Sequence, residues 1–238
     1  IESSDIKLED GIVTNGGGKF RIKESRVESS GTCINKDGYE IMECLDSELE
    51  GENGLVFMEG ESNIVDGVKI TSRNSGILFK DGSGGQIRKV EIDSEEFGIR
   101  YDGSRKEKIE GLKIKAREAV SIGGGELEIT GSEIDGEIRG EGSERIEVRD
   151  SKLGAVGSRN LSYISVTGSE IEGREIEISL NGELDIESSD IKLEDGIVTS
   201  GGGKFRIRES RLESRGTCIN KDGYEIMECR DSELEGEN

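Results

Sequence analysis

A short pattern of apolar and polar positions recurs along this chain. It reads apolar, any, apolar, two further positions, serine, one position, apolar. Phe20-Ile22-Ser25-Val27 is followed by Met42-Cys44-Ser47-Leu49. The pattern returns as Leu127-Ile129-Ser132-Ile134, Ile146-Val148-Ser151-Leu153 and Ile164-Val166-Ser169-Ile171. It returns again as Leu184-Ile186-Ser189-Ile191, Phe205-Ile207-Ser210-Leu212 and Met227-Cys229-Ser232-Leu234, with weaker members that lack the serine starting at Val68, Val90 and Leu112. Apolar residues two apart share one face of a β-strand. The residues between them are mostly charged, as at Arg21, Glu43, Glu128, Glu147 and Asp185. Each segment is therefore a strand buried on one face. A strand this short cannot make a core alone, but the same strand stacked turn upon turn can, which is the logic of a solenoid.

A second short strand belongs to each turn, often introduced by glycine: Gly54-Leu55-Val56-Phe57, Gly76-Ile77-Leu78-Phe79, Gly98-Ile99-Arg100-Tyr101, Gly196-Ile197-Val198-Thr199 and Gly31-Thr32-Cys33-Ile34. Turn signals close the coil at Asp37-Gly38, Asp81-Gly82, Asp102-Gly103, Asn181-Gly182 and Gly123–Gly125. Aligning these second strands on their glycines puts Val13, Cys33, Val56 and Leu78 in one outward column, with Val198 and Cys218 repeating its first two members and Arg100 and Ser121 ending it. Outward apolar residues stacked in this way form a stripe, and the expectation is a lateral protein contact.

A longer period encloses the short one. Residues 1–53 recur as 186–238 with five differences: Asn15/Ser200, Lys23/Arg208, Val27/Leu212, Ser30/Arg215 and Leu45/Arg230. The motif starts lie 15 to 26 residues apart, and nine of those steps fill the 185-residue offset. The expected organisation is one continuous solenoid over 1–238. Residues 1–185 would form a unit of about nine coils, and residues 186–238 the start of the next, as in a window from a longer tandem array.

With two or three short strands and glycine-rich corners in each coil of about 20–22 residues, the chain resembles the right-handed parallel β-helix, the pectate-lyase-like superfamily, over essentially its whole length. The resemblance rests on coil length and pattern. It implies an all-β fold and, in many of that superfamily's members, cleavage of acidic polysaccharides. Arg21-Ile22-Lys23 matches the tripeptide of polygalacturonases, but their Gly-His-Gly element is missing. Ile22 is moreover an alternating core position, so Arg21 and Lys23 read as plain outward neighbours.

Composition narrows the chemistry. The chain has no His, Pro or Trp, 36 Gly, 36% charged residues and a formal net charge of -21. Missing Pro suits uninterrupted sheet ladders. Missing His removes the commonest general base and metal ligand. An acidic surface without a basic run argues against nucleic acid and anionic membranes as partners. No apolar run approaches the ~20 residues that span a bilayer. The carboxylates form no compact calcium loop; outward carboxylates on stacked strands offer at most weak calcium sites, and no cofactor is implied.

The cysteines at Cys33, Cys44, Cys218 and Cys229 have neither zinc nor redox spacing. Cys44 takes the inward slot of Ile22. Cys33, read as outward, is set against a bridge to Cys44 and instead available to a neighbouring chain. Asn160-Leu161-Ser162 forms a glycosylation sequon.

The serines Ser25, Ser47, Ser132, Ser151, Ser169, Ser189, Ser210 and Ser232 are expected in an inward column where the first strand bends into the second. Two explanations stay open there: hydroxyls bonding to each other or to corner amides, or small residues fitting a tight bend. The expected function is structural and non-catalytic, a stalk or filament at the cell surface, with axial and lateral self-association. The alternatives are a polysaccharide-binding or polysaccharide-cleaving β-helix, or an engineered repeat, against which the uneven coil lengths weigh.

Overall fold

A computed structural model describes the chain except residues 39, 40, 61, 81, 82, 103–105, 142–144, 160, 161, 180, 223–225, 237 and 238. Asp81, Gly82 and Gly103 of the turn signals, and Asn160 and Leu161 of the sequon, lie outside the described residues. Within the described residues every named element is a strand, and every strand pairing is parallel. Two sheets run the length of a β-solenoid, one of 11 strands and one of 17.

The 11-stranded sheet shows how alternation builds the core. Ile129 pairs with Val148 and Val148 with Val166, and all three are fully buried. The same file runs from Ile22 and Cys44 through to Ile186 and Ile207. The register advances 22 residues from Arg21 to Glu43 and 18 from Glu147 to Ser165. Following the ladder from strand Lys19–Lys23 to strand Lys204–Arg208 takes nine steps, so the long sequence repeat is nine rungs of one sheet.

Three coils correct the sequence reading. Val68, Val90 and Leu112 do not start rungs of this sheet. The rungs are Asn63–Asp66, Gly85–Arg88 and Lys106–Glu110, with Val65, Ile87 and Ile109 buried in the file. Val68, Val90 and Leu112 occupy the corner that serine fills elsewhere, as the bonds Glu91 N to Val68 O, Lys113 N to Val90 O and Lys152 N to Ser132 O show. Their rungs lack the apolar pair because Asn63, Gly85 and Glu107 stand where Phe20 or Leu127 stands in other coils. The steps of 15 and 26 residues therefore vanish, and with them the irregularity that weighed against design.

The reason for the polar inserts lies across the core. In the second sheet Phe57, Phe79 and Tyr101 stack at 5.0 and 5.8 Å between ring centroids, a bulky file buried to 2% exposure or less. Small or polar residues opposite it keep the section filled without crowding. A Cβ on Gly85 would lie 2.3 Å from Asn63 O. Asn63 satisfies its buried amide nitrogen with Gly60 O and Gly84 O, and Glu107 accepts from Gly85 N at 2.8 Å. Lys36 continues the aromatic file and is fully buried, its Nζ donating to Gly38 O and Glu59 O.

Candidate functional site

Three longitudinal features carry chemistry, and each arises from one coil position repeated along the axis. The first is the serine corner. Each hydroxyl donates to the carbonyl two residues before it and accepts the amide of the preceding coil. Ser151 Oγ donates to Arg149 O at 2.7 Å and accepts from Ser132 N at 3.1 Å. Ser25, Ser47, Ser132, Ser169, Ser189, Ser210 and Ser232 donate in the same way to their own carbonyls. The amides of Ser25, Ser151, Ser169, Ser189 and Ser210 are accepted by the next serine at 3.1 to 3.2 Å. The residue before the serine is left-handed in coil after coil, with φ of 48° at Glu24, 46° at Asp46, 50° at Asp150 and 49° at Glu209. A hydroxyl that both donates and accepts fits a corner where the backbone cannot pair with itself.

The second feature is the outward column of the second sheet. Val13 pairs with Asn35, Asn35 with Val56, Val56 with Leu78 and Leu78 with Arg100. Val198 pairs with Asn220. Cys33 and Cys218 are therefore not members, which corrects the alignment on glycine. Cys33 takes the slot of Gly54 one coil on, because the bend from Ser29 to Ile34 is one residue longer than that from Gly51 to Leu55. Cys33 is fully buried, its Sγ 3.7 Å from Val27 O, and Cys218 is half-buried. An exposed Cys33 joining neighbouring chains is excluded, and so is the argument from opposite phases, since Cys44 is buried as well. Burial pushes the Cys33 thiol up to about 11 and the Cys44 thiol up to about 12. The apolar stretch shrinks to adjacent Val56 and Leu78, with Val13 beyond Asn35 and 60% exposed.

The third feature was not foreseen. A small residue sits two positions after each inward apolar residue of the second sheet, at Gly51, Ser72, Ser94 and Ala116, and there the long strands bend. The bend opens a groove of about 710 Å³ parallel to the axis. Glu50, Asp93, Lys115 and Asp135 line one side; Glu52, Arg73, Glu95 and Arg117 line the other. Ser72 Oγ donates to Ser94 Oγ at 3.0 Å on its floor, and Arg117 meets Glu96 at 2.7 Å. A second groove occupies the same bend from Glu172 to Gly236. The apolar-any-small spacing was the signal that could have found it.

Beside the groove runs a column of alternating charge. Asp5, Arg26, Glu48, Lys69, Glu91 and Lys113 follow one another in register. Arg26 also reaches Glu28 at 2.7 Å and Glu50 at 2.9 Å. Arg21 and Lys19 both pair with Glu43, as plain outward neighbours do, and Lys19 first, then Arg21, holds that carboxyl below its ordinary range.

The family model described as "Right handed beta helix region" matches residues 10–140, more than half of the chain. The chain belongs to that family. No curated protein and no solved structure was found to match it. This right-handed β-helix family includes both enzymes and non-enzymes, so membership alone assigns no activity. Among the described residues no group of three or more His, Cys, Asp or Glu side chains is placed to hold a metal, and no helix is long and apolar enough to cross a membrane. The β-helix offers ordered backbone corners, a mixed-charge groove and a salt-linked flank.

Proposed function

We propose that this chain is a structural, non-catalytic rod, a tandem β-solenoid of a stalk or filament displayed outside the cell. One observation carries the reading. The second sequence copy resumes the stack nine rungs on in the register of the first: Phe205 pairs with Met227 as Phe20 pairs with Met42, and Arg211 with Glu233 as Arg26 with Glu48. A sequence unit equal to a whole number of coils lengthens a rod without disturbing its faces. Stacked backbone bonds supply axial stiffness. Self-association would run along the axis and through the Val56–Leu78 flank, with no cofactor, nucleic acid or bilayer required. Electron microscopy of the native, full-length material tests this: fibres with an axial repeat of about 43 Å, nine strands at ~4.8 Å, support it, and compact particles that depolymerise polygalacturonate overturn it.

The groove favours a second reading, binding of a polysaccharide along the axis. Its mixed-sign rims suit a hydroxyl-rich chain better than a polyanion. Glycan binding that disappears in an Arg73→Ala, Arg117→Ala variant would establish it.

A further inference from the structure

The alternating column continues through the second half of the chain. Glu133, Lys152 and Glu170 follow Lys113 in register, and Arg211 and Glu233 follow Asp190. At the step from Glu170 to Asp190 two like charges face each other. Parity explains why. Alternation repeats every two coils, whereas the sequence unit spans nine rungs. Asp5, Arg26 and Glu48 return as Asp190, Arg211 and Glu233, so each sign must be restored nine steps later. Nine changes of sign cannot restore it. A repeat with an odd number of coils must contain a like-charged step in this column, and the chain places it where the second copy begins.

The surrounding charges only partly relieve that step. Lys152 Nζ lies 3.7 Å from Glu170 and 3.3 Å from Glu172, on the preceding side. Lys192 Nζ lies 3.7 Å from Asp190. Arg211 follows Asp190 in register, but its guanidinium meets Glu213, Glu233 and Glu235. Asp190 Oδ1 is buried without a hydrogen-bond partner. Beyond the bend Arg174 and Asp195 clamp the same pair of coils at 2.8 Å.

We infer that the Glu170–Asp190 step is an electrostatic seam built into the rod, a repulsive rung in a column of attractive ones. On this flank the coils part there more readily than at the neighbouring rungs, while Arg174 holds the far side of the bend. The seam belongs to this chain's own coils and stands whether the rod is a stalk or a binding surface.

A double-mutant cycle isolates the pair from its other neighbours. Amide exchange across strands Glu170–Ser179 and Asp190–Ser200 is read in Glu170→Gln, Asp190→Asn and the double variant at low ionic strength. The same cycle on Glu133→Gln and Lys152→Gln reads strands Glu133–Glu141 and Lys152–Arg159. All four side chains lie on the surface, so every variant keeps the core. Cross-strand charge pairs of this kind set an expected coupling of about 1.5- to 5-fold in exchange rate. It is repulsive for Glu170 and Asp190 and attractive for Glu133 and Lys152. Both couplings fade in 1 M salt, where charges are screened over ~3 Å. A zero or attractive coupling between Glu170 and Asp190, or a repulsive one that persists in 1 M salt, overturns the inference.

Discussion

Replacing Ser151 by alanine removes one hydroxyl and leaves every apolar contact of the core in place. Ser151 is 6% exposed and Ser132 is 5% exposed, so neither corner is open to bulk water. Two bonds disappear: the 2.7 Å donation to Arg149 O and the 3.1 Å acceptance from Ser132 N. They are not equivalent. Arg149 O still accepts from Gly131 N at 3.1 Å, so the carbonyl keeps a partner. Ser132 N loses the acceptor supplied by the next coil. A buried donor left unpaired costs about 1–3 kcal/mol, more than the ~1 kcal/mol net value of an ordinary hydrogen bond. Because a solenoid can open locally, a global midpoint dilutes the effect, and the Ser132 amide itself is the better probe. At ~1.4 kcal/mol per factor of ten, its exchange in Ser151→Ala should accelerate about five- to hundredfold. Ser232→Ala is the control. Its hydroxyl serves Ser210 N at 3.2 Å from a half-exposed position, so water can replace it, and the Ser210 amide should change by less than about threefold. A Ser132 amide unchanged within twofold in Ser151→Ala would refute the reasoning and leave the serines as small residues in a tight bend.

Lys89 holds φ at 49° in the corner where Gly67 holds 66°, so Lys89→Gly should raise the urea midpoint, corresponding to about 0.5–1 kcal/mol after glycine's entropy is counted. Gly67→Ala should lower it by at least about 1 kcal/mol, because the backbone is left-handed there and the new Cβ would fall 2.5 Å from Asp46 Oδ1. Glu24, Glu28 and Glu43 are held below the ordinary carboxylate range by Lys23, Lys7 and Lys19 respectively. Groups lowered in the folded state stabilise it above the unfolded value of ~4.3 and lose that contribution as pH falls through their folded values, so the urea midpoint should be flat from about pH 6 to 8 and decline below about pH 4.5. A midpoint that rises on acidification contradicts those pairings. Cys44 and Cys33, pushed up to about 12 and about 11, should resist alkylation at pH 8 in the folded protein while Cys229 reacts first. Thiols raised in the folded state stabilise it below their unfolded value of ~8.5, and that contribution is lost as pH climbs towards the folded values, so stability should fall above about pH 9.

The files of Ile129, Val148 and Val166 were legible in the sequence because inward apolar residues alternate with charged ones, and two such residues in five positions suffice to mark a rung. Serine marked the following corner for the same reason: it is the small polar residue at a fixed distance from an apolar pair. Asn63, Gly85 and Glu107 hid three rungs, since a polar residue at an inward position looks like an outward one until the aromatic file opposite it is known. Glycine misled at Cys33. The bend between the halves of the long strands varies in length, spanning five positions from Ser94 to Ile99 and two from Gly136 to Ile138, so glycine is no fixed ruler there. The alternating charges could not be read at all before the register was known, because their members lie about a coil apart in sequence and meet only across the ladder. The groove shares that dependence: its floor was written in the spacing, but its two rims come from separate strands of many coils.

The claim on which the account rests is that one sequence repeat is nine rungs of a continuous rod. Chains carrying one and two copies of residues 1–185, each followed by residues 186–238, can be compared by cryo-electron microscopy. The added copy should lengthen the rod by about 43 Å, nine strands at ~4.8 Å, at unchanged width, with Phe205 over Leu184 at the junction as it is in this chain. An added copy that folds beside the first, or extends the particle by a markedly different length, would contradict it.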